Sequence, residues 1–176
     1  MHNLLFLVLA TAVGAADDYT ITVNNVGIGN QWRAGDITPI NVTVSSNANV
    51  AMTAWIQWEV PDADGDMVLW GRQLTLAPQG TTSTWLHAPT QPWNTNNTPW
   101  NIRLRAWENN EPTNELLLHR FSPASVGSQF IEHTEGRIAV FGNRRVGLSG
   151  LLPSGWIETK PEATKVVSGL TSADLP

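Results

Sequence analysis

From Tyr19 onward apolar and polar residues alternate with period two, in short runs separated by clusters of Gly, Pro, Asn and Asp. This is the pattern of half-buried strands joined by turns. Seven runs fit it: 19–26 (YTITVNNV), 39–46 (PINVTVSS), 51–60 (AMTAWIQWEV), 67–76 (MVLWGRQLTL), 82–88 (TSTWLHA), 100–108 (WNIRLRAWE) and 115–122 (ELLLHRFS). Side chains of a strand point alternately to its two faces. Met52, Ala54, Ile56, Trp58 and Val60 are therefore expected in the core, with Thr53, Trp55, Gln57 and Glu59 opposite. In the sixth run Trp100, Ile102, Leu104 and Ala106 form the core set, and Asn101, Arg103, Arg105 and Trp107 the other. Ile40, Val42 and Val44 point inward in the second run, leaving Asn41 and Thr43 outside. Strands that are each apolar on one face bury those faces by packing two sheets together. The expected fold class is mainly β: an immunoglobulin-like antiparallel β-sandwich of about seven strands, followed by a short incomplete α/β segment. The Cys-Trp-Cys hallmark of antibody domains is missing, so the expectation concerns architecture only.

The pattern changes near the end of the chain. SPASVGSQ (122–129) is rich in small and turn-forming residues and reads as a boundary. RIAVFG (137–142) is a nearly continuous apolar run, as in a strand buried on both faces, and ATKVVSGL (163–170) is a second strand candidate. The expected organisation is a signal peptide over 1–16, a sandwich over 17–123, a linker over 124–135, and the start of an incomplete α/β domain over 136–176.

The signal peptide rests on the apolar run from Leu4 to Val13 followed by Gly14, Ala15 and Ala16. Its leading segment holds His2 but no Lys or Arg. The run is too short to span a bilayer, so export is expected, to the periplasm, the envelope or the medium, with cleavage after Ala15 or Ala16. No other transmembrane span is expected.

Ten Lys and Arg against fifteen Asp and Glu give a net charge of -5, and the basic residues form no stripe, which argues against a nucleic-acid partner. There is no Cys, so disulfides are excluded. His2, His87, His119 and His133 lack zinc-ligand spacing. No metal or other cofactor is expected, and no arrangement of nucleophile and base stands out, so no catalytic residue is assigned.

Three motifs invite sharper readings. Asp62, Asp64 and Asp66 alternate as in a calcium loop, but the EF-hand positions for Gly and Glu hold Met67 and Gln73, so a polar hairpin with Gly65 at its bend is expected. GNRRVGLSG (142–150) lacks the spacing of a phosphate loop, and Arg144 and Arg145 are weak candidates for an anion. Sequons occur at Asn41 and Asn96, the second followed by Pro99.

The chain holds nine Trp. If the third and sixth runs pair, Trp55 and Trp107 share an outer face with Arg103, Arg105, Gln57 and Glu59, an aromatic platform for a protein or for sugar rings. The alternatives are cover by another part of the same polypeptide, or packing beneath the Arg stems. Trp93, in the long QPWNTNNTPW connection (91–100), is a further binding candidate.

WRAGDITPINVTVSS (32–46), VPDADGD (60–66), LTLAPQGTTSTWLHAP (74–89), RIAVFGNRRVGLSGL (137–151) and VVSGLTSADLP (166–176) together resemble the amino-terminal part of large exported planctomycete-type proteins. In these a β-sandwich precedes a domain similar to the class I glutamine amidotransferase fold. The resemblance implies an envelope-associated or secreted scaffold and transfers no catalytic residue. The expected role is a non-enzymatic structural or protein-interaction module of a larger envelope protein, partnered by the rest of its own polypeptide or another envelope protein. The alternatives are a carbohydrate-binding module using outward Trp residues, or the accessory domain of an enzyme whose catalytic part lies beyond residue 176.

Overall fold

The computed structural model describes residues 18–62, 64–132, 136–141 and 164–170. The expected signal peptide and the Arg144–Arg145 turn lie outside the described residues.

Seven long strands form two antiparallel sheets. One sheet has three: β1 (Tyr19–Val26), β3 (Ile37–Ser46) and β6 (Thr81–Pro89), in the order β1-β3-β6. The other has four: β4 (Met52–Pro61), β5 (Met67–Leu76), β7 (Trp100–Glu108) and β8 (Glu111–Phe121), in the order β5-β4-β7-β8. Their inner faces share one core of Val23, Ile40, Val42, Val44, Ile56, Leu76, Leu86, Ile102 and Leu104 with neighbouring buried residues. This is the sandwich that the alternation of apolar residues predicts, with the fourth long strand beside the third.

Between the sheets an aromatic chain runs through the core. Trp100 packs at 4.7 Å from Trp58 and 5.0 Å from Trp32, ring centroid to centroid, and Trp32 meets Phe130 edge-on. Trp32 donates its indole N–H to Asn96 Oδ1 at 3.0 Å. The indole nitrogens of Trp58 and Trp100 are buried without a hydrogen-bond partner.

Short elements absent from the alternation pattern tie the sandwich together. β2 (Gln31–Trp32) pairs in parallel with β9 (Gln129–Phe130), and Ile131 N–H donates to Trp32 O at 2.9 Å. The turn into β2 needs Gly27: its φ is +79°, and a β-carbon there would lie 1.8 Å from Gln31 O. A short 3-10 helix, Pro123–Val126, leads to β9, capped by reciprocal bonds between Ser122 and Ser125. The stretch expected as a linker thus packs on the sandwich as far as Ile131, which is fully buried.

Beyond it, β10 (Gly136–Phe141) and β11 (Thr164–Leu170) pair in parallel, with Ile138 opposite Val166. Both strands were expected from their apolar runs.

Candidate functional site

Asp62, Asp64, Gly65 and Asp66 lie in the turn between β4 and β5. Asp62 Oδ1 accepts from the backbone N–H of Asp64 and of Asp66, each at 3.0 Å, and Gly65 sits at φ +89°. The acidic motif is a side-chain-closed hairpin. Among the described residues no three His, Asp or Glu side chains gather as metal ligands.

The outer face of the four-stranded sheet brings most of the proposed binding residues together. β4 and β7 are neighbours, with Trp55 opposite Arg105, Gln57 opposite Arg103 and Glu59 opposite Asn101. Trp55 and Trp107 are one diagonal step apart and stack, ring centroids 5.1 Å apart and planes 20° from parallel. Each remains partly exposed. Gly71, on β5, makes room for this pair: a β-carbon there would lie 2.6 Å from Trp55 Nε1 and 2.6 Å from Ile56 O.

Beside the stack lies a charged network. The Arg103 guanidinium is bonded to both Glu59 and Glu115, and Asn101 Nδ2 donates to Glu59 Oε2 at 3.2 Å. Those two carboxylate bonds, Glu59 first, raise the Arg103 pKa above its ordinary value, so the residue is locked as a cation. Glu59 and Gln57 are buried although they belong to the outer set: Glu59 is bonded by Arg103 and Asn101, and Gln57 is the cross-strand partner of Arg103. Arg105 donates through Nε to Thr113 O at 2.9 Å. A depression of about 300 Å³ is lined by Gln57, Glu59, Leu69, Arg103, Arg105 and Glu115.

Trp93 does not join this surface. It is 56% exposed in the connection that precedes Trp100, whereas Trp107 lies at the far end of β7. Seven residues of strand separate Trp100 from Trp107, about 23 Å at ~3.3 Å per residue. In the same connection Asn96 is held from three sides: it accepts from Trp32, donates to Ser128 O at 2.9 Å, and its carbonyl accepts from Ala124 N–H. Sequence reasoning did not single out Leu69, Glu115 or Gly71. Only the β4–β5 and β7–β8 pairings place them beside the platform.

No curated protein matches the chain. Solved structures with partial likeness include a β-glucosidase from Listeria innocua (9% identity, TM-score 0.38, covering 60% of this chain and 16% of that one). A β-glucuronidase from Bacteroides uniformis is 14% identical with TM-score 0.36, covering 61% of this chain and 13% of that one. An alkylpurine DNA glycosylase from Pseudomonas fluorescens, bound to DNA, is 10% identical with TM-score 0.36, covering 60% and 30%. The chain thus spans a small part of each, and likeness at this level bears on no activity. Residues 18–117, from the start of β1 into β8, match the family described as Domain of unknown function (DUF8726), and the chain belongs to that family.

Proposed function

We propose that this chain is a non-catalytic β-sandwich module of a larger exported envelope protein, and that it holds a protein segment against the outer face of its four-stranded sheet. The single observation that carries the reading is the preformed Trp55–Trp107 stack beside the Glu59–Arg103–Glu115 network. Trp and Arg anchors fixed before binding lose little side-chain freedom on contact, which is what makes such residues dominate protein interfaces. Because Arg103 is already paired with two carboxylates, the face offers apolar plates and hydrogen-bonding groups beside the guanidinium of Arg105, whose Nε donates to a backbone carbonyl. Export and the envelope setting rest on the Leu4–Val13 run and on the resemblance to large exported proteins.

The alternative, a carbohydrate-binding module, draws on the same indoles beside the depression that contains Gln57 and Glu59. Stacking occupies one face of each indole, which leaves a narrow platform for a sugar ring. A photo-crosslinking residue at Gln73, directly opposite Trp55 on β5, separates the two. In cells making the whole protein, a discrete adduct to a polypeptide other than a second copy of this chain, lost in Trp55→Ala, supports the proposal. Absence of any adduct, together with glycan-array binding lost in Trp55→Ala, would replace it with the sugar reading.

A further inference from the structure

Strands that end a sheet expose unpaired N–H and C=O groups, and proteins interrupt such edges with bulges, prolines or charges. Among the described residues, β1 and β6 end one sheet and β5 and β8 the other. The β1 ladder shifts register between Val23 and Asn25. The β8 ladder shifts twice, and β8 carries Glu111, Pro112, Glu115 and Arg120. β6 is polar from Thr81 to Thr84 and ends in Pro89.

β5 is the least interrupted of the four. Its ten residues pair with β4 without a shift, from Met67 opposite Pro61 to Leu76 opposite Met52. It contains no Pro and one charged residue, Arg72, while Met67, Leu69 and Trp70 are 52%, 51% and 40% exposed. Next to the β5–β6 turn, Thr82 Oγ1 donates to Thr75 O at 3.1 Å. Further along, a hollow of about 310 Å³ opens between the two strands, lined by Trp70, Gly71, Arg72, Trp85, Leu86 and His87.

The geometry points to β5 as the pairing edge of a twofold dimer, in which β5 of a second copy adds antiparallel and continues the four-stranded sheet across the pair. A twofold axis perpendicular to the sheet keeps each residue on its own face, so opposed residues must share parity. Centred on Gly71, the register sets Trp70 opposite the second copy's Arg72 and Arg72 opposite its Trp70. Leu69 then faces Gln73, and Met67 faces Thr75. Each guanidinium meets an indole, a favourable cation-π pair formed twice by symmetry. Centring on Arg72 would oppose two like charges, and centring on Trp70 would set Arg72 against Val68. The sequence of β5 is thus self-complementary in one register, and the same arrangement closes both hollows over Trp70. In this register residues 67–75 pair, a ladder about 30 Å long that covers on the order of 500 Å² per copy. This is below the roughly 800 Å² per partner of a standard interface, so the dimer is reversible and dissociates in the micromolar range.

Sedimentation velocity of the full chain over a micromolar concentration series tests this. The expected result is a monomer–dimer equilibrium, weakened at least tenfold by Arg72→Glu at its exposed position and by Trp70→Arg, which opposes two arginines. The double variant Trp70→Arg/Arg72→Glu places Arg opposite Glu twice and is expected to dimerise again. Amide exchange of β5 is expected to slow as the dimer fills. A monomer throughout the series, open-ended oligomers, single variants that dimerise like the wild type, or a double variant that stays monomeric would overturn the assignment. So would β5 amides already protected in a monomer, since another segment of the chain would then cover the edge.

Discussion

Trp55 and Trp107 come from adjacent antiparallel strands and stack 5.1 Å apart across the diagonal of the ladder, on the face that is not the core. Such a pair contributes about 1 kcal/mol beyond the area it buries. Trp55→Ala is therefore expected to lower stability by roughly 1–2 kcal/mol in urea unfolding while leaving the amide infrared band of the sheets unchanged.

Gly71 bears directly on that stack. A β-carbon at residue 71 meets Ile56 O, which is backbone, as well as the tip of the Trp55 indole. Gly71→Ala is expected to displace Trp55 from Trp107 and to reduce stability by about 1–3 kcal/mol. Near-ultraviolet circular dichroism, which reports the coupled indoles, should lose amplitude; an unchanged spectrum would show that the stack does not need the glycine.

The buried carboxylate of Glu59 depends on Arg103. Arg103→Ala leaves that carboxylate with Asn101 as its remaining donor, and is expected to cost about 1–3 kcal/mol, discounted from a fully buried pair because Arg103 reaches solvent. Adding Glu59→Gln should recover part of the loss. A double-mutant cycle with no coupling energy would contradict the network.

The core tryptophans differ in how their indole N–H is treated. Trp32 donates to Asn96, whereas Trp58 has no partner. Replacement by Phe removes similar volume from both sites but breaks a buried hydrogen bond only at residue 32. Trp32→Phe is expected to be more destabilising than Trp58→Phe by roughly 1–2 kcal/mol, measured as the difference in chemical unfolding.

Acid should weaken the fold through histidine. Burial lowers the pKa of His119, which packs on Phe121, and burial followed by the nearby Arg72 lowers that of His87. The unfolded chain then takes up protons first. This contribution is full above the ordinary value of 6.5 and is lost as pH falls from there through the lower folded values. His119→Phe is expected to flatten the slope of stability against pH between neutral and mildly acidic conditions.

Much of this was legible from alternation. The ranges of β1, β5 and β7 follow from period-two runs, and so does the division of β4 into a core face and an outer face carrying Trp55. β8 begins at Glu111 rather than 115 because Asn109 and Asn110, both at positive φ, form a two-residue hairpin turn, which makes Glu108 and Glu111 partners. The short pair β2–β9 leaves no periodic trace, since two residues cannot show a period, and the small residues around it read as a linker. Burial of Gln57 and Glu59 also escaped the pattern. Alternation assigns a face, but whether that face is covered depends on long side chains arriving from the next strand. Trp93 was a candidate for its place in a long connection at a sandwich end, and strand direction sets that end apart from Trp107.

The proposed function places a protein partner on the outer face around Trp55. The most direct test is a binding titration of the polypeptide captured through Gln73 against the wild type, Trp55→Ala and Trp93→Ala. Trp55→Ala is expected to weaken binding about 30-fold, as loss of a hot-spot residue worth ~2 kcal/mol would, and Trp93→Ala to bind like the wild type. Equal affinity for all three, or loss confined to Trp93→Ala, would contradict it.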